Sequence, residues 1–331
     1  MLYATRIVGL LVWIVLVALA LKFVQPASRK LALSAVLLLP MFISQASAST
    51  DPLINGLIVL FLAMIAGFIV KKVRPSAAQM ALLIGIVSLT TLSKPVYIVF
   101  ALLLFLLPRT FTNWKMVAKT LSLLFIPFVI YGAWSLLTRK SGTFFFDAIA
   151  VSRADPSAQI HYVIPNVFNF FEPFMNTLLL NWGDGVYASL IGIFGKLDTP
   201  LPLLFVILGY ITIFIAVLSS SDDKEMQKQE KKAIVHDTRS KIISALIITG
   251  YVVGVYLAMY IASTPPYEKI VTGVQGRYLL PLIPFGVLFA TKKYLLFHKR
   301  SSYEKLLIIL PIIVLVASVI IVYLRYYVVY P

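Results

Sequence analysis

The sequence has no cysteine, so it can form neither a disulfide nor a thiolate metal site. Histidine is scarce, with three in the chain, and no second histidine accompanies His161 in its region. A metal role for His161 is therefore not expected, and no metal site is assigned. Charge is sparse as well: 13% of residues are charged, against about 25% in a soluble domain. Acidic residues number 13 against 29 basic ones, leaving a net charge of +16. A surplus of that size can mark a nucleic-acid partner. Here the lysines and arginines sit in short loops between apolar runs, so no nucleic-acid partner is expected.

What is abundant is apolar surface, with 60% hydrophobic residues and a mean hydropathy of +0.94. Stretches near the ~20 residues needed to cross a bilayer recur along the chain. They fall at 7–24, 31–47, 52–70, 76–92, 95–108, 117–138, 200–219, 242–263, 279–296 and 306–327. Lipid offers no partner to an exposed amide, so such spans must be helical. The expected fold is all-α: a polytopic membrane bundle of about ten transmembrane helices, with interfacial helices in one long outer segment. The parts are a six-span bundle over 1–138, an outer-face segment over 139–199 and a four-span bundle over 200–331, forming one membrane domain. The first apolar run is long and is followed by further spans, unlike a cleavable signal.

Loop charge orients the spans. Lys22, Arg29 and Lys30, then Lys71, Lys72 and Arg74, then Arg109, Lys115 and Lys119 mark inner loops, as do the basic residues of 221–241 and 292–305. The positive-inside rule then puts 221–241 in the cytoplasm and both termini outside. Merging 76–108 into one span, or adding one at 173–195, would reverse this. A single helix over 76–108 would run roughly 50 Å, well beyond a ~30 Å hydrocarbon core. Pro95 after Lys94 supplies a break instead.

The outer segment is too apolar for a free loop. Phe144, Phe145, Phe146, Phe168, Phe170, Phe171, Phe174 and Trp182 are spread through it. Aromatic rings collect where lipid meets water, so interfacial helices are expected near 166–180 and 185–195. They would serve as a cap over the bundle or as a platform for a lipid or glycan.

Several polar residues on that side admit two readings. Asp51 before Pro52 reads as an N-cap followed by a first-turn proline, and Thr199 before Pro200 reads the same way. Asp155-Pro156-Ser157-Ala158-Gln159 reads as a turn opening a helix, and Asp184 between two glycines as a turn. Asp222-Asp223 reads as a solvated pair. Lys94 and Arg277 resist such readings, because both sit at outer span ends where topology disfavours positive charge. Arg277 lies in Gly273-Val274-Gln275-Gly276-Arg277-Tyr278-Leu279-Leu280-Pro281, at the start of an apolar helix. A helix N-terminus favours anions, and an anion there would gain both amide donors and the guanidinium. Arg277 therefore binds phosphate or forms a structural salt bridge to Glu268 or Asp198.

The segment Gly273 to Pro281, with Ser93-Lys94-Pro95, Asp155 to Gln159 and Leu197-Asp198-Thr199-Pro200-Leu201-Pro202, resembles a family of predicted bacterial membrane proteins, domain of unknown function two-one-four-two. The resemblance covers most of the chain. It implies kinship with GT-C-like membrane glycosyltransferases, which take sugars from polyprenyl-phosphate carriers at the outer face of the bacterial plasma membrane. Arg277, Gln275, Tyr278, Lys94 and Gln159 are then expected to bind the carrier phosphate or the substrate. GT-C-like chains begin with an inner N-terminus, one span and an outer loop bearing the catalytic acid. This sequence begins with a stretch that corresponds to their second span, so that loop is expected to be missing. Asp51 and Asp155 stand as substitute catalytic carboxylates, though neither lies in an Asp-X-Asp pair.

The function this implies is transfer of a sugar from polyprenyl phosphate to an envelope glycan. No cofactor is evident. The expected partners are membrane lipids, the lipid-linked saccharide and polysaccharide-assembly proteins. A flippase or exporter of lipid-linked saccharides, or a non-catalytic scaffold of an assembly complex, are the alternatives. A transporter should show broken helices at mid-depth or charges within its spans.

Overall fold

The computed structural model describes residues 2–25, 27–44, 50–108, 114–138, 154–179, 186–195, 198–218, 238–289 and 300–329. Phe144 to Phe146, Trp182, Asp184 and Asp222-Asp223 lie outside them. The helices are α1 (Leu2–Phe23), α2 (Ala27–Leu37), α3 (Pro40–Ser44), α4 (Asp51–Lys71), α5 (Ala77–Ser93), a 3₁₀ segment (Pro95–Leu106) and α6 (Trp114–Thr138). They continue with α7 (Pro156–Val163), α8 (Phe168–Leu179), α9 (Val186–Gly192), α10 (Leu203–Leu218) and α11 (Thr238–Ser263). A 3₁₀ turn (Gly276–Leu279), α12 (Leu282–Phe289), α13 (Arg300–Tyr323) and a π-helical turn (Leu324–Val329) complete them.

The all-α membrane architecture holds, with several of the expected spans shorter or interrupted among the described residues. Among the described residues, five helices are long and apolar enough to cross a membrane: Tyr3–Phe23, Asp51–Lys71, Trp114–Thr138, Thr238–Ser263 and Tyr303–Val328. Ala77–Ser93, Pro95–Leu106 and Leu203–Leu218 are shorter apolar helices, and Gly276–Phe289 is a shorter apolar segment interrupted at Leu280-Pro281. Prolines account for the interruptions. The stretch 31–47 breaks ahead of Pro40, because a proline disfavours helical backbone in the residue before it. Lys94, before Pro95, is likewise extended at φ −143°. The 3₁₀ segment that follows rises about 2.0 Å per residue, so its 12 residues cover roughly 24 Å.

Helix α4 is the centre of the bundle. It is apolar on every side, and 89% of its most apolar window is buried, against 11% for α1 and 6% for α6. A helix that is hydrophobic all round belongs inside, and Phe61, Leu62, Ala63 and Ile65 are fully covered. Helices α1, α5 and α12 and the 3₁₀ segment pack around it. The far side of α1 exposes Ile7, Leu11, Ile14 and Val15. Their spacing of three and four residues forms an apolar stripe suited to lipid.

The segment after residue 153 folds as α7, α8 and α9. The last two fall on the ranges expected for helices, except that Ile193–Phe194 (β1) leaves the helix. It pairs antiparallel with Thr199–Pro200 (β2). Thr199 therefore does not cap a helix, and α10 begins at Leu203, after Pro202. Arg29 also departs from expectation. Rather than sitting in an exposed loop it is 2% exposed, and its Nη1 donates to Leu288 O at 2.9 Å. That carbonyl is in the last turn of α12, where a helix end attracts a cation.

Small residues let α1 approach α4. A Cβ on Gly67 would lie 2.7 Å from the backbone oxygen of Phe23, which cannot swing away. Gly67→Ala is expected to cost about 1–3 kcal/mol through overpacking. It should lower the thermal midpoint of the purified protein in detergent. Gly85→Ala, with nothing within 4 Å of the new carbon, should leave that midpoint unchanged or raise it slightly.

Candidate functional site

Asp51, Lys94, Arg277 and Tyr278 come together where α4 begins and α5 ends. Thr50 occupies the N-cap position of α4 without a side-chain cap bond, and Asp51 and Pro52 form the first turn. The sequence reading of Asp51 as the N-cap is thus corrected. Its carboxylate faces the neighbouring chain segments instead. Lys94 Nζ donates to Asp51 Oδ1 at 3.0 Å, and Arg277 Nη1 lies 3.9 Å from Asp51 Oδ2. The partner of Arg277 is therefore Asp51, rather than Glu268 or Asp198. Asp198 is engaged by Arg325 Nη2 at 3.4 Å and Tyr326 Oη at 3.0 Å.

The cluster is only part-buried. The Asp51 side chain is 12% exposed, Lys94 31% and Arg277 41%. Both cations flank the Tyr278 ring, with Lys94 Nζ 5.1 Å and Arg277 Cζ 5.5 Å from its centroid. An aromatic face attracts a cation at that range. Arg277 Nε is buried without a hydrogen-bond partner, so the guanidinium retains an unspent donor. Two positive groups meet one carboxylate here, and α4 and the 3₁₀ segment both point their N-termini, the positive ends of their dipoles, at the same place. Such an arrangement can take up an anion.

The turn that carries Arg277 is held from several sides. Gly276 N donates to Ser189 Oγ at 2.7 Å, and Tyr251 Oη donates to Tyr278 O at 2.8 Å. Gln275, half-buried, precedes the turn, and its backbone oxygen accepts from Tyr278 N at 3.0 Å. Beneath Asp51, one helical turn on, Asn55 Oδ1 accepts from Tyr97 Oη at 3.4 Å. The Tyr97 ring in turn meets Tyr251 edge-on at 5.8 Å. Ser189, Asn55, Tyr97 and Tyr251 were not among the candidate residues. A polar Asn55 inside an apolar span, four residues after Asp51, was the available signal.

The other two candidates stand elsewhere in the bonding pattern. Asp155 caps α7, accepting from Ala158 N at 3.0 Å, in keeping with the helix-opening turn expected there. Gln159 is fully buried, and its Nε2 donates to Tyr260 O at 3.2 Å and Pro265 O at 3.3 Å. It ties α7 to the end of α11. Among the described residues no cluster of histidine and carboxylate ligands could hold a metal ion.

Gly276 is where the turn touches α9. A Cβ there would meet Val186 O and Leu190 N, with Leu190 Cα at 2.6 Å. All three are backbone atoms, so Gly276→Ala is expected to cost about 3 kcal/mol, the upper end of ordinary overpacking. Ser189→Ala, which removes the acceptor of the buried Gly276 N–H and a second bond to Val186 O, should cost less, about 1–2 kcal/mol. Thermal unfolding of the two purified variants in detergent checks the order.

Over residues 1–286 the sequence matches a family described as predicted membrane protein, DUF2142. No curated protein and no solved structure matches it. The matched region contains all four residues of the cluster. The chain belongs to the DUF2142 family of predicted membrane proteins.

Proposed function

We propose that this membrane protein is a GT-C-like glycosyltransferase that uses a polyprenyl-phosphate-linked sugar, at the outer face of the bacterial plasma membrane, in cell-envelope glycan assembly. The observation that carries the reading is the meeting of Lys94, Arg277 and Tyr278 on the single carboxylate of Asp51. The carrier phosphate exchanges for that carboxylate on the two cations, and the sugar lies toward the Tyr278 ring. The acceptor hydroxyl attacks the anomeric carbon, and the bond from that carbon to the phosphate oxygen breaks. Negative charge grows on the leaving phosphate, where Arg277 and Lys94 stabilise it. Asp51, released from its cations by the phosphate, takes the hydroxyl proton as general base. Asp155 is less suited to that part, since its carboxylate already caps α7.

One observation favours a second reading, a flippase for lipid-linked saccharides. Helix α12 is separated from the Gly276–Leu279 turn by Leu280-Pro281, so the apolar segment 276–289 is discontinuous. Transporters place the ends of broken helices against anionic substrates.

Membranes carrying the full-length protein, supplied with a labelled polyprenyl-phosphate sugar and envelope glycan acceptor, separate the two. Transfer is expected, and Arg277→Ala should lower its rate about 10²–10³-fold. An unchanged rate removes Arg277 from the reaction. Saccharide crossing the bilayer of liposomes with no glycosidic bond formed establishes the second reading in place of the first.

A further inference from the structure

We propose that the cleft between α5 and α6 binds an anionic phospholipid of the surrounding membrane, its phosphate on Arg74 and Lys119 and an acyl chain between the helices. The proposal is independent of the glycosyltransferase reading. The cleft has a volume of about 570 Å³, within the ~300–1,000 Å³ usual for a small-molecule site. Its lining is divided by chemistry. Arg74 and Lys119 supply the charge, while Met80, Ile84, Leu104 and Leu123 are among the apolar walls. None of the described lining residues is acidic, so no carboxylate in the cleft competes for the two cations.

The geometry is that of a headgroup site above a chain site. Arg74, in the connection between α4 and α5, reaches across to α6, where its Nη2 lies 3.4 Å from Met116 Sδ. Lys119 follows Met116 by three residues, on the same face of α6. Thr120 spends its hydroxyl proton on Met116 O at 3.0 Å. The N-terminus of α5 is already satisfied, because Ser76 and Gln79 form a reciprocal capping box. The attraction for an anion therefore comes from the two side chains rather than from free amides. Basic pockets between membrane helices hold anionic lipid headgroups by this means. The site is distinct from the Asp51 cluster. It opens at the start of α5, whereas Lys94 follows its end, and the 17 residues between span roughly 25 Å.

The test uses the purified full chain in nanodiscs of phosphatidylcholine doped with phosphatidylglycerol, and native mass spectrometry counts retained lipids. The wild-type protein should retain phosphatidylglycerol on the order of ten- to thirtyfold over phosphatidylcholine at equal mole fraction, the weight of two basic contacts. R74Q/K119Q should bring the ratio to about one. Ala81→Phe, which places a ring in the apolar half of the cleft, should lower retention with both cations intact. Equal retention of the two lipids by the wild type overturns the proposal, as does an unchanged preference in R74Q/K119Q. Displacement of phosphatidylglycerol by an equimolar isoprenyl monophosphate would overturn the assignment to phospholipid.

Discussion

The ion pair between Asp51 and Lys94, with Arg277 beside it, is the constraint on which the site depends. Helix N-termini repel one another and repel cations, yet α4 and the 3₁₀ segment both begin here, beside a lysine and an arginine. A carboxylate in the first turn of α4 supplies the opposite charge. It is held in place because α4 is enclosed on all sides, so its N-terminus has one position relative to its neighbours. Removing Asp51 would leave both cations facing the two helix N-termini, a repulsion that solvent screens in part because Lys94 and Arg277 are each about a third exposed or more.

Around that pair the support is mostly backbone. The Gly276 amide on Ser189 and the Tyr278 carbonyl on Tyr251 fix the turn that presents Arg277. Helix α9 crosses so close to Gly276 that no side chain fits between them. A cluster of tilted rings, Tyr97, Phe100, Tyr251 and Phe285, fills the space below. Rigid rings with few rotatable bonds hold a polar rim at little entropic cost.

Much of this was legible in the sequence. Apolar runs of bilayer length gave the helices, because lipid allows no other backbone. Pro95 marked a break, since proline acts locally, whereas Pro40 and Pro281 lay inside runs read as continuous spans. Lys94 and Arg277 drew attention through their position against the charge rule. What could not be read was their shared partner. Asp51 precedes Lys94 by 43 residues, and a capping motif explained it locally without any tertiary contact. Arg29 was miscounted for the same reason: loop charge is scored as solvated, and its burial against Leu288 depends on a helix far along the chain. The short pairing of Ile193–Phe194 with Thr199–Pro200 carries no periodicity that a pattern could reveal.

The central place of α4 has a consequence for how the chain is made. Helices α1 and α2 precede it, but α12, which also packs against it, is synthesised much later. Roughly 230 residues separate Asp51 from Arg277, so at about 5–20 residues per second the carboxylate waits on the order of 10–50 s for its arginine. Lys94 arrives within a fraction of that time. The nascent protein thus passes through an interval with the carboxylate matched to one cation and α4 still open on the side that α12 will cover. Closing that side is a late event, coupled to the arrival of the arginine that completes the cluster.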